Sequence, residues 1–265
     1  MNKVFIGADP RQTVSLTVLT HSINKNASTP VEIIPLEIEK LPITRQGLTP
    51  FTWSRFLVPH LCNYEGWGLF LDADMLCLGD INEVFRLGQT FNAVHVMQNQ
   101  PAFEWASMIL FNCGHPSNKV LTPEHIENPE TRNLHKIGWL PFGEVGKLPL
   151  EWNVCVPYSY QGQHAIGGGM SAPPASPKLV HFTQGVPHWW ETEDQAYADT
   201  WREYRDEAAA AGGDVTASHT WFELMGRSVH CEPRVQDLIA QGKVADYRDY
   251  AIKAGLVKEE VAASC

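Results

Sequence analysis

The stretch Gly68-Leu69-Phe70-Leu71-Asp72-Ala73-Asp74 decides the fold. Leu69, Phe70 and Leu71 run without an alternating polar residue. That is the pattern of a strand covered on both faces inside an α/β sheet. Two aspartates at i and i+2 follow it. If the strand stays extended, both carboxylates point to one side. Two carboxylates converging where a buried strand emerges form an oxygen-rich seat for a hard divalent cation, of the kind that holds substrate phosphates. A short motif of this sort also arises by chance as a solvated strand-end turn, so its weight depends on context.

The context is α/β. Residues 3–8 read as a strand, with Asp9-Pro10 as N-cap and first position of a helix running to Asn26. Val31 to Leu36 read as the next strand, which completes a βαβ opening and favours a parallel sheet. Residues 51–63 carry apolar positions at helical spacing, and residues 92–97, 107–111 and 178–182 are further strands. Residues 127–150 read as loop with short pieces. Residues 160–177, with Gly167-Gly168-Gly169 and Pro173-Pro174, read as a mobile surface segment. Helical patterns follow at 194–211, 215–229 and 234–239. The expected organisation is an α/β body over 1–190 and a helical extension over 191–265 packed on it.

A chain of 265 residues with 44% hydrophobic and 19% charged residues is ordinary globular material with room for a large core. No 18-residue apolar stretch is present, so no membrane span is expected. The start, Met1 to Asp9, reads as the first strand rather than a secretory leader. None of the six cysteines forms Cys-x-x-Cys, and a reducing cytoplasm with free thiols is the expected setting. The net charge of −10 argues against a nucleic-acid partner, which demands a basic face. It also means that an anionic substrate needs local help from a metal or a few arginines.

Several chemistries lack their motifs. There is no phosphate loop, dinucleotide fingerprint, nucleophile elbow or His-Glu-x-x-His. The aspartates do not continue as a calcium loop, because Leu76 and Cys77 stand where a ligand and a glycine belong. A strand ending in Asp-x-Asp also opens haloacid-dehalogenase-like phosphatases, with Asp72 as nucleophile. Here Leu76 replaces the usual Thr or Val, and the next aspartate after Asp80 is Asp194.

The second informative segment is Lys178-Leu179-Val180-His181-Phe182-Thr183-Gln184-Gly185-Val186-Pro187-His188-Trp189-Trp190. A strand delivers His181 to a loop whose Gly185 allows close approach of backbone N–H groups to a phosphate. Imidazole joins carboxylates readily around Mn²⁺-like ions, so Asp72, Asp74 and His181 form a candidate ligand set. A strand-end histidine standing alone is commonly a hydrogen-bonded structural residue.

Together, the βαβ start, the Asp-x-Asp and the His-Phe-x-x-Gly-x-Pro-x-Trp loop resemble the retaining glycosyltransferases of the glycogenin and galactosyltransferase type (glycosyltransferase family 8 and its relatives). Phe51 to Pro59 resembles the family's aromatic-x-x-Arg helix. Met108 to Asn112 resembles its sugar-lining strand, and Leu148 to Asn153 its Leu-Pro-x-x-aromatic-Asn turn. The matches run in family order over residues 3–190. The chain departs from the pattern where Trp105-Ala106-Ser107 replaces Asn-x-Gly and Leu134-His135-Lys136 replaces Asp-Gln. His188 stands nearest to the diphosphate-gripping lysine.

The resemblance implies a GT-A type Rossmann-like mixed sheet and a UDP-sugar donor. It implies Mn²⁺ or Mg²⁺ on Asp72, Asp74 and His181, with a carbohydrate or other small molecule as acceptor. It assigns Asp74 and Arg55 to catalysis. Arg55 would place a positive charge near the diphosphate or the motif acids, or else form a plain ion pair. It assigns Gly7, Ala8, Asp9, Arg55, Asp72, Ala73, Asn112, Asn153, Gly185 and His188 to the nucleotide-sugar. Asp9 also reads as an N-cap. A catalytically inactive nucleotide-sugar-binding protein is the other outcome these departures allow.

Overall fold

The computed structural model describes residues 1–45, 47, 49–98, 105–131, 133–156, 176–183, 185–217 and 238–253. The predicted mobile segment at 160–177 lies outside them but for its last two residues. Of the helix predicted over 215–229, only 215–217 are described, and these are not helical. Residues 238–240 are helical.

The chain opens with β1 (Lys3–Gly7), α1 (Thr13–Asn26) and β2 (Glu32–Leu36). Pro10 starts a single 3₁₀ turn before α1, so the predicted helix begins three residues late. A 3₁₀ turn (Ser54–Leu57) leads into the short α2 (Val58–Leu61), and then come β3 (Trp67–Leu71) and β4 (Met75–Cys77). The remaining elements are α3 (Asn82–Arg86), β5 (Val94–Val96), β6 (Met108–Asn112), α4 (Pro123–Glu127), β7 (Val145–Lys147), β8 (Val154–Val156), β9 (Leu179–Phe182), α5 (Ala198–Ala210) and α6 (Tyr247–Lys253). The helix expected from 194 starts at 198, after Tyr197 in the left-handed region at φ 64°.

Two sheets form. The larger has the order β2-β1-β3-β6-β5-β7, with β1 parallel to β2 and β3, and β6 antiparallel to β3 and β5. The smaller has the order β4-β9-β8. Alternation explains the continuous apolar runs. Phe5, Phe70, Ile109 and Phe111 enter one core, while Val4, Ile6, Leu69, Leu71, Met108 and Leu110 enter another. Both faces of the large sheet are thus covered, which is why β1 and β3 carry no polar face. A third core joins Leu76, Val156, Val180 and Phe182 of the small sheet to Val14 and Val18 of α1 and Trp201 of α5. Asn26 ties these parts together, donating to Cys77 O and to the Tyr204 hydroxyl, each at 3.0 Å.

Candidate metal centre

The Asp-x-Asp motif is the link between the two sheets. The strand does not run through it: β3 ends at Leu71 and β4 begins at Met75. The Asp72 N–H donates to Ser107 O at 2.9 Å, one step beyond the Leu71–Met108 pair of the large sheet. The Phe182 N–H donates to Asp74 O at 2.8 Å, one step beyond the Met75–His181 pair of the small sheet. Each aspartate is therefore anchored to a different sheet. The carboxylates converge through this bend and not through the period-two alternation that the spacing implied.

The register of β9 against β4 delivers His181 to the same spot. One ligand atom each from Asp72, Asp74 and His181 lie within 4.8 Å of one another. His181 Nε2 stands 3.2 Å from Asp74 Oδ1, with side-chain exposures of 2% and 27%, so the group is walled by the histidine and opens at Asp74. Burial opposes the imidazolium, but the Asp74 carboxylate outweighs it and holds the His181 pKa well above the ordinary histidine value. A proton and a metal ion would compete for Nε2. Asp74 Oδ1 is buried and faces the His181 Nε2. Two carboxylates and an imidazole, with a buried carboxylate oxygen facing Nε2, fit a Mn²⁺- or Mg²⁺-like ion.

Arg55 lies beside the motif acids. Its guanidinium is buried and pairs with Asp72, Nη2 to Oδ1 at 3.0 Å and Nη1 to Oδ2 at 3.4 Å. Nη1 also donates to Ala106 O at 2.7 Å and Nε to Thr52 O at 3.1 Å. It sits 4.9 Å from the Phe70 ring centroid. Two main-chain carbonyls thus hold the Arg55 guanidinium against Asp72. His135, from the region where the Asp-Gln pair was expected, donates through Nε2 to the same Thr52 O at 3.0 Å. Burial first, and the Arg55 charge second, push the His135 pKa down to about 4.

Gly7, Ala8 and Asp9 lie beside the motif, because Ile6 pairs with Leu71. Gly7 packs so closely under Phe51 that a Cβ there would overlap the ring. Asp9 is buried, caps the following turn through Arg11 N–H (3.0 Å) and pairs with the Arg11 guanidinium at 2.6 Å. Ala73 is buried between the two aspartates. Gly185, at φ 99°, turns the chain after β9, with its N–H donating to Phe182 O.

Three expectations change. Asn112 pairs with Trp67 at the opposite end of the sheet, because β6 runs antiparallel to β3, and its side chain donates to Thr90 O and Asn92 O there. The residue of that segment at the site is Ser107. Asn153 is fully buried behind His181 rather than facing a substrate. His188 packs edge-on against Trp189 and Trp201, and burial with the Arg205 charge lowers its pKa, which leaves it a poor substitute for a lysine. Ser107, Ala106 and Cys155 carried no sequence signal of their own.

No known family profile matches the chain. It is 34% identical over 232 residues to Protein CDI of Arabidopsis thaliana, covering 77% of this chain and 86% of that protein. The chain belongs to the family of Protein CDI. This CDI-family chain also resembles solved glycosyltransferases. With the bifunctional glycosyltransferase WbbM it shares a TM-score of 0.56 at 16% identity, over 79% of this chain and 51% of that one. It thus spans about half of WbbM. With the glycosyltransferase GlyE of Streptococcus pneumoniae TIGR4 the score is 0.55 at 15% identity, over 83% and 66%. With the galactosyltransferase LgtC, solved with donor and acceptor sugar analogs, it is 0.51 at 13% identity, over 77% and 95%. The CDI-family fold is the mixed-sheet GT-A type. No described helix is long and apolar enough to cross a membrane.

Proposed function

We propose that the chain is a metal-dependent, retaining glycosyltransferase of the glycogenin and galactosyltransferase type, moving a hexose from a UDP-sugar to a carbohydrate or other small acceptor. The observation that carries this reading is the convergence of Asp72, Asp74 and His181 at the junction of the two sheets of a GT-A fold. In this reading residues 1–190 are the catalytic body and 191–265 its helical extension. A cytoplasmic setting belongs to the same proposal, supported by the free thiols of Cys62, Cys77, Cys113 and Cys155.

Asp72, Asp74 and His181 would hold Mn²⁺ or Mg²⁺, which when bound supplies charge neutralisation at a diphosphate leaving group. Arg55 fixes the direction of the Asp72 carboxylate. The partly exposed Asp74 forms the open side, where donor oxygens approach. The edge formed by Gly7, Ala8 and Asp9 lies where α/β sheets accept nucleotides, outside the carboxyl ends of parallel strands. Retention through same-face attack follows from the resemblance. The phosphatase alternative is disfavoured by Asp72 itself: a buried carboxylate clamped by two guanidinium nitrogens is a poor nucleophile.

A panel of nucleotide-sugars scored for nucleoside diphosphate release with Mn²⁺ tests the activity. UDP at 100 times its Kd should stabilise the fold by about 2.7 kcal/mol, and only with Mn²⁺ present. No thermal shift with any nucleoside diphosphate overturns the donor assignment. Binding of UDP without hydrolysis or transfer identifies an inactive binding protein instead. Phosphate release from an aryl phosphate, abolished by Asp72→Asn, would revive the phosphatase.

A further inference from the structure

We infer that Asn153 is a positioning residue for the metal centre, holding His181 in the tautomer and ring orientation that aim Nε2 at the ion. The inference rests on the metal site proposed above. Asn153 directly precedes β8, and β8 runs parallel to β9 with Cys155 opposite His181. Period two then puts Asn153, Cys155 and His181 on one face of the small sheet. The Asn153 side chain is completely buried and engaged at both ends of its amide. Oδ1 lies 3.2 Å from His181 Nδ1, and Nδ2 donates to Ser107 Oγ at 2.9 Å. An amide oxygen only accepts, so the proton of this bond belongs to Nδ1. An imidazole protonated at Nδ1 presents its Nε2 lone pair to a cation. The Cys155 Sγ packs against this pair, 3.6 Å from the same Oδ1 and 3.8 Å from His181 Nδ1.

Ser107 gives the arrangement its reach. Its hydroxyl anchors the Asn153 amide, and its carbonyl accepts the Asp72 N–H. One buried chain of hydrogen bonds therefore runs from the backbone of one carboxylate ligand, through Ser107 and Asn153, to the imidazole ligand. It spans the joint between the two sheets. Outer partners of this kind commonly change metal affinity by 10–100-fold when removed.

The test is Mn²⁺ binding to the full chain without substrate, followed by the loss of the free-ion electron paramagnetic resonance signal. Wild type, Asn153→Ala and Asn153→Asp are compared, with ¹⁵N-histidine spectra of the Mg²⁺-loaded proteins reporting the tautomer. Asn153→Ala should weaken Mn²⁺ binding at least tenfold and lose the uniform Nδ1–H pattern of His181. Asn153→Asp keeps an acceptor oxygen and should stay within about threefold of wild type. If Asn153→Ala does not fold, Ser107→Ala removes the hydroxyl that anchors the amide and should still weaken binding several-fold. Unchanged affinity in the alanine variant that folds, or an equal loss in Asn153→Asp, overturns the inference while leaving the metal site standing. A wild-type protein that takes up no Mn²⁺ overturns both.

Discussion

Arg55→Met is the most discriminating perturbation of the site. Methionine keeps much of the aliphatic volume against Phe70 but removes the charge. The Asp72 side chain is only 11% exposed, and the substitution takes away the guanidinium that lies 3.0 Å from its carboxylate. Breaking a buried pair in this way costs about 3–5 kcal/mol, because the remaining charge is not solvated. Ala106 O loses its 2.7 Å donor as well, whereas Thr52 O keeps His135. For a chain of this size, the loss corresponds to a fall in Tm of roughly 6–20 °C, at about 2–4 °C per kcal/mol. The cost lies mostly in Asp72 rather than in Arg55. Adding Asp72→Asn should therefore recover a large part of it, with a coupling on the order of 2 kcal/mol in a double-mutant cycle read by thermal and urea unfolding. Saturating Mn²⁺ should also reduce the damage of Arg55→Met, since a cation on Asp72 replaces the lost positive charge. Additive costs for the two substitutions, or a loss below about 1 kcal/mol for Arg55→Met, would refute the assignment of Arg55 as the partner that orients Asp72.

Acid should weaken the fold through its buried neutral histidines. Burial lowers the pKa of His95 to about 4, and its Nε2 accepts the Gln89 N–H at 3.1 Å. The folded value lies below the unfolded one near 6.5, so this contribution is present above pH 6.5 and is lost as pH falls towards 4. For His95 the loss between pH 7 and pH 5 is at most about 2 kcal/mol. Stability of His95→Asn should vary less over that range than wild type, and parallel curves would refute the point. Gly185→Ala should cost about 1–2 kcal/mol, because φ is 99° there, and it should displace the loop after His181; unchanged unfolding midpoints would count against the turn geometry. Glu207→Gln removes the surface pairs with Lys25 and His21 that join α5 to α1. It should lower the melting temperature only slightly, and by less in high salt, which salt-dependent melting checks.

The parts legible in the sequence were those set by local pattern. β1 and β3 announce themselves because both their faces are buried, so a continuous apolar run replaces alternation. Three-residue strands such as β4, β7 and β8 are too short to show any period, so of the small sheet only β9, within 178–182, is legible. Asp72, Asp74 and His181 were found by residue type and order. Where Asn112 and Asn153 sit depends on strand direction and register, which are tertiary facts. In sequence, Trp105-Ala106-Ser107 is a departure from the family's Asn-x-Gly. Its backbone and hydroxyl instead hold Arg55, Asp72 and Asn153.

The motif's chemistry follows from the same tertiary facts. Spacing alone would place two carboxylates on one strand face, at a separation fixed by the pleat. Because each aspartate is pinned to a different sheet, their separation is set by how the sheets pack. Arg55 and Ser107 act on the large-sheet side, and His181 with Asn153 on the small-sheet side. The Ser107–Asn153 bond is a side-chain link across that joint beside the site. A centre assembled this way responds as one unit to any change that shifts one sheet against the other. Residues well behind the ligands, such as Ser107, should therefore influence metal affinity more than their distance from the open side of the site implies.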